Sequence, residues 1–125
     1  MKDCIIVDIH KTLMHRNGAV NNFVLDRIKV QVSLGVSIVL VSRDHSEQDK
    51  SELTDWLKKH KIPYDDLFVS PPDMVNDKQV KVKEYILEQK IKGKYNPVLA
   101  IDDKKSVRKM YEERGIKAIN PDNLL

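Results

Sequence analysis

The stretch Cys4-Ile5-Ile6-Val7-Asp8-Ile9-His10-Lys11-Thr12-Leu13 decides the fold. It opens as a run of apolar, mostly β-branched residues and turns polar from Asp8 onward. A strand that is apolar at consecutive rather than alternate positions is covered on both faces, the situation in a parallel sheet sandwiched by helices. Two further stretches have the same form. Val36-Ser37-Ile38-Val39-Leu40-Val41 closes in Ser42-Arg43, and Pro97-Val98-Leu99-Ala100-Ile101 closes in Asp102-Asp103. Leu67-Phe68-Val69 and Ile116-Lys117-Ala118-Ile119 are shorter candidates of the same kind.

Helical spacing fills the gaps. Val20, Val24, Ile28 and Val32 recur every four residues, with Gly35 placed to stop the helix. Leu53, Trp56, Leu57 and His60 follow a helical repeat that ends before Pro63. Val75, Val82 and Ile86 predict a third helix opening near Asn76 or Asp77, and Val107, Met110 and Tyr111 a fourth closed by Gly115. Strands and helices therefore alternate from end to end. The pattern predicts a Rossmann-like, doubly wound three-layer α/β sandwich around a five-stranded, mainly parallel sheet.

Composition narrows the function classes. With 125 residues, the chain is expected to form one domain over 1–125, large enough for a core without disulfides or a structural metal. Cys4 is the only cysteine, which excludes an intrachain disulfide and a zinc site of CxxC type. No run approaches the ~20 apolar residues of a membrane span, and the Met1-Lys2-Asp3 start lacks the features of a secretory signal, so a soluble, cytoplasmic protein is expected. The net charge of +3 is unevenly spread. Lys78 to Lys94 holds six lysines against Glu84 and Glu88, and Lys104 to Lys117 six basic residues against Glu112 and Glu113. This basic half is either a solvated surface or an electrostatic track for a nucleic-acid backbone.

Ligands of doubly wound sheets bind at the carboxyl ends of the strands. Those ends carry Asp8, His10 and Thr12 after the first strand, Ser42 and Arg43 after the second, and Asp102 and Asp103 after the fourth, with Lys78 at the start of the third helix. Carboxylates from two strands converging on one point call for a cation, and hard oxygen ligands favour Mg²⁺. A hydroxyl and an ammonium beside them suit a phosphoryl group, and Asp8 is a candidate covalent nucleophile. The chemistry that fits is Mg²⁺-dependent phosphoryl transfer.

The same residues resemble, in order and position, the four motifs of the haloacid dehalogenase (HAD) superfamily. The first is Asp8-x-His10-Lys11-Thr12-Leu13, the second Ser42, the third Lys78 and the fourth Asp102-Asp103. Within that superfamily the chain is most similar to the 3′-phosphatase domain of phage-type polynucleotide kinase, through Leu99-Ala100-Ile101-Asp102-Asp103-Lys104 and the helix that follows. The resemblance implies that Asp8 is the nucleophile and a Mg²⁺ ligand. Asp102, Asp103 and the main-chain carbonyl of His10 would be the other protein ligands. Thr12, Ser42 and Arg43 would bind the phosphoryl group or substrate, and Lys78 would neutralise it, Lys81 being the alternative one turn further on. The implied substrate is a polynucleotide 3′-phosphate end, and a separate kinase or ligase partner is compatible with it, in a bacterial or phage-infected cell.

One departure stands out. The family's phosphatases carry an Asp two residues after the nucleophile, as general acid and then base; here the residue is His10, followed by Lys11 in place of Gly. An imidazole can serve both proton transfers. The competing reading is an impaired pseudophosphatase that binds phosphorylated ends or a protein partner. The gaps from Leu13 to Val36 and from Arg43 to Asp77 are too short for a cap domain, so a capless core with an open site is expected. His15, His45 and His60 lack ligand spacing and are read as core or surface residues, as Trp56 is read as a core anchor. A receiver domain is excluded by order, since its acidic pair follows the first strand rather than the fourth.

Overall fold

A computed structural model describes residues 1–44 and 47–124. His45 lies outside the described residues. Five parallel strands, β1 (Lys2–Asp8), β2 (Ser37–Val41), β3 (Asp66–Phe68), β4 (Tyr95–Ile101) and β5 (Lys117–Ile119), form one sheet in the order β3-β2-β1-β4-β5. The helices are α1 (Asn22–Ser33), α2 (Glu47–Lys59), α3 (Gln79–Ile86), which runs on into a π-helical turn over Leu87–Ile91, and α4 (Lys105–Glu113). No helix among the described residues is long and apolar enough to cross a membrane.

The continuous apolar runs divide by parity. Ile5, Val7, Ile38, Leu40, Leu99 and Ile101 face α1 and α2, packing on Val24, Leu25, Ile28, Leu53 and Leu57. Cys4, Ile6, Val39, Val41 and Ala100 face the other way, onto Val82, Ile86, Leu87, Ile91, Val107, Met110 and Tyr111. This is the three-layer sandwich expected of strands buried on both sides. Burial also settles the lone cysteine, whose thiol is pushed up to about 12 and is unreactive. β1 sits at the centre of the sheet with β2 on one side and β4 on the other, and its carboxyl end is the point where the strand order reverses.

Local chemistry sets the boundaries. After α1, Gly35 takes φ +78° while its N–H bonds to Val32 and that of Val36 to Gln31, a left-handed cap that spares the helix its last carbonyls. On a helix of 3.6 residues per turn, a repeat of four drifts by about 40° per step. Val24 and Ile28 are accordingly buried, while Val32 has rotated out and Val20 precedes the helix. The third helix starts later than the apolar pattern predicts. Pro72–Met74 forms a 3₁₀ turn, Val75 is exposed, and α3 begins at Gln79. β4 starts earlier, at Tyr95, and accommodates Pro97 beside a shift in register between Cys4 and Ile5.

Candidate active site

The loop after β1 is tightly wound. Lys11 adopts φ +64°, its N–H bonding to the Met14 carbonyl at 2.8 Å, while the N–H of Thr12 reaches the Ile9 carbonyl at 3.2 Å. The turn sends His10 into solvent and Thr12 back into the protein. The Thr12 hydroxyl donates to Asp8 Oδ2 at 2.9 Å and accepts from the Asp103 N–H at 3.1 Å, tying the end of β1 to the end of β4. Thr12 is therefore buried under the site, positioning Asp8 rather than facing a ligand.

The other oxygen of Asp8 is held by a residue absent from the motif reading above. Lys83 Nζ donates to Asp8 Oδ1 at 2.8 Å and to Asp102 Oδ2 at 2.6 Å, with its side chain 1% exposed. The expectation that Lys78, or else Lys81, supplies this ammonium is corrected. Both are exposed, and Lys78 is the N-cap of α3. Lys83 lies between Val82 and Ile86 on the buried face of α3, and from there its long side chain reaches the two carboxylates. A lysine flanked by stripe positions was the available signal. Asp102 is further fixed by the Lys104 N–H, which donates to its Oδ1 at 2.9 Å.

At the end of β2, Ser42 is fully buried and its hydroxyl donates to Asp44 Oδ2 at 2.8 Å. The same oxygen lies 2.9 Å from His10 Nε2. Asp44 thus links the serine that follows β2 to the histidine of the β1 loop, 34 positions before Asp44 itself, a pairing no local pattern reveals. Arg43 is exposed, and its Nη2 donates to the Asp77 carbonyl at 3.2 Å. Over these groups opens a cavity of about 560 Å³, floored by Asp8, Asp44 and Asp103 and rimmed by His10, Lys11, Arg43, Lys104 and Lys105.

Charge balance defines what the site can hold. Asp8, Asp102 and Asp103 against Lys83 leave two formal negative charges, and oxygens of the three carboxylates lie within 4.8 Å of one another. Asp8 is raised to about 7: burial lifts it most, Lys83 pulls it back, and the neighbouring Asp102 adds to the rise. Burial opposes the charge of Lys83, yet the two carboxylates outweigh it and hold the ammonium above its ordinary range. One ammonium cannot neutralise two carboxylates in a dry pocket, so the set has the donor type and the residual charge that suit a divalent cation. His10 is raised chiefly by its hydrogen bond to Asp44, against partial burial.

A doubly wound parallel sheet with Asp8 at the end of its first strand and the pair Asp102-Asp103 after its fourth is the arrangement of a HAD-type phosphatase. Residues 2–123 match the family of the polynucleotide kinase PNKP phosphatase domain, and the chain belongs to it. No curated protein matches the sequence. Two solved structures are similar in fold. A chain of a Pnkp1/Rnl/Hen1 complex superposes with a TM-score of 0.85 at 23% identity, over 96% of this chain and 46% of that one. A chain of the Pnkp1/Rnl/Hen1 RNA repair complex gives 0.81 at 23% identity, over 96% and 43%. The present chain thus spans less than half the length of either.

Proposed function

We propose that the protein hydrolyses a phosphomonoester through an aspartyl-phosphate on Asp8, and that its substrate is the 3′-phosphate end of a polynucleotide. The observation that carries this reading is the setting of Asp8. Both its oxygens are held, by Lys83 and by Thr12, beneath an open cavity rimmed with cations. Asp8, Asp102, Asp103 and the main-chain carbonyl of His10 are the residues that would hold Mg²⁺. When bound, the ion offsets charge on the phosphoryl oxygens and keeps the Asp8 carboxylate ionised.

In the first step an Asp8 carboxylate oxygen bonds to phosphorus and the bond to the leaving oxygen breaks. The leaving oxygen takes a proton from His10, whose Nε2 is engaged with Asp44, so the proton comes from Nδ1. In the second step water attacks phosphorus, its proton passes to the now neutral Nδ1, and the bond to Asp8 breaks. Arg43 and the rim lysines bind the phosphoryl oxygens. Asp44 orients His10, and Ser42 orients Asp44. The chain acts as one capless domain in the cytoplasm. It works alongside a kinase or ligase activity carried elsewhere, in keeping with its spanning under half of chains found in an RNA repair complex.

A second reading has its own support: the residue in the proton-transfer position is His10, exposed and tied to Asp44. In that case the pocket binds phosphorylated ends without turnover. Phosphate release from 3′-phosphorylated oligonucleotides in Mg²⁺ separates the two. We expect turnover by the unaltered protein that falls by about 10²- to 10⁴-fold in His10→Ala. Saturable binding with no release, converted to turnover by His10→Asp, would select the second reading instead.

A further inference from the structure

We propose that the groove between the starts of α3 and α4 binds a second phosphate of the substrate, the internucleotide phosphodiester on the 5′ side of the nucleotide whose 3′-phosphate lies over Asp8. This deepens the reading above and rests on it. The groove is a cavity of about 510 Å³ lined by Arg43, Lys78, Gln79, Val80, Lys104 and Ser106. It shares Arg43, Gln79 and Lys104 with the cavity over Asp8. Two adjoining cavities with a common wall suit successive phosphates of one strand.

The charge of the groove is all of one sign. Arg43, Lys78 and Lys104 line it, and no carboxylate does so among the described residues. At the opposite end of the sheet several basic residues are paired: Lys94 with Asp66, Lys92 with Glu88, and Arg114 with Glu84 and Glu88. Lys78 and Lys104 have no acidic partner among the described residues. Arg43 spends one donor on the Asp77 carbonyl, which aims the guanidinium toward the start of α3 and leaves its other N–H groups for a ligand. Three clustered cations repel one another until an anion arrives, and a phosphodiester brings one charge and two unesterified oxygens to satisfy them. A terminal 5′-phosphate on a single nucleotide offers similar chemistry, so the test must include it.

The test compares kcat/KM in Mg²⁺ for a nucleoside 3′-monophosphate, a nucleoside 3′,5′-bisphosphate and a dinucleotide 3′-phosphate, using the unaltered chain and Lys78→Glu. Lys78 is exposed, so the substitution should leave the fold intact, which an unfolding curve of the variant checks. We expect the dinucleotide to exceed the monophosphate by about tenfold, through KM, and Lys78→Glu to remove most of that preference. Affinity for the labelled dinucleotide 3′-phosphate, measured across salt concentrations, should lose about 0.7 from its log–log slope when this contact is removed. A dinucleotide no better than the monophosphate, or a preference that survives Lys78→Glu, would overturn the subsite while leaving the phosphatase reading intact. A bisphosphate that outranks the dinucleotide would overturn the assignment to a phosphodiester. Should no compound be turned over, the phosphatase reading fails and the binding arm decides the subsite alone. Equal affinity and slope in the two proteins would then refute it, and a weaker, flatter response in Lys78→Glu would support it.

Discussion

Lys83 holds together a site that would otherwise repel itself. Its ammonium, 1% exposed, is shared between Asp8 and Asp102 at 2.8 and 2.6 Å. Removing one partner of a buried ion pair strands the remaining charge and costs about 3–5 kcal/mol. Lys83→Met should therefore lower the unfolding free energy by about that much in metal-free buffer, as read from denaturant curves. Adding Asp102→Asn should recover part of the loss, because one of the stranded charges goes with it. Equal stability of Lys83→Met and the parent chain would refute this account of the trio. Asp8, Asp102 and Asp103 are legible in the sequence because two apolar runs stop abruptly at carboxylates. Lys83 is not, since a lysine on an apolar stripe reads as a solvent-seeking interruption unless the acids it meets, 75 and 19 positions away, are already in view.

At the scale of elements, the strands are the most legible part. β-branched runs have few ways to satisfy burial on both faces, and all five candidates form strands. The start of α3 is less so, because Pro72 and the turn that follows absorb residues whose spacing mimics a helix. The opposite edge of the sheet is pinned by side chains rather than by pattern. Tyr95 Oη and Lys94 Nζ, at the start of β4, both donate to Asp66 Oδ2 at the start of β3, at 2.5 and 2.9 Å. Partial burial works against the Asp66 charge, yet these two donors hold its carboxyl below the ordinary range. A depressed native pKa contributes stability that is complete above the unfolded value of about 4 and is lost as the pH falls through the native one. Asp66→Asn should cost about 1 kcal/mol at pH 7, and the gap to the parent chain should close as the pH falls below about 4. A difference that stays constant from pH 7 to pH 3 would show that the carboxylate charge contributes nothing.

For the whole molecule, the net charge of +3 matters less than its arrangement. Acids converge at the floor of the cavity, basic residues form its rim, and at the far end of the sheet Lys92, Lys94 and Arg114 pair with Glu84, Glu88 and Asp66. Between β1 and β2 the chain holds one loop and α1, and nothing there folds over the site. On the proposed reading, an open pocket with a basic margin suits the end of a long polyanion better than a small metabolite, which needs enclosure to be retained. The Asp44 link between His10 and Ser42 belongs to this scale too, because it appears only when β1 and β2 lie side by side. The most direct test of the central claim is phosphate release from a 3′-phosphorylated oligonucleotide in Mg²⁺, with the parent chain and Asp8→Asn side by side. The parent should release phosphate and Asp8→Asn none, with release stopped by EDTA. Equal release by both proteins, or none from the parent under any Mg²⁺ concentration, would contradict it.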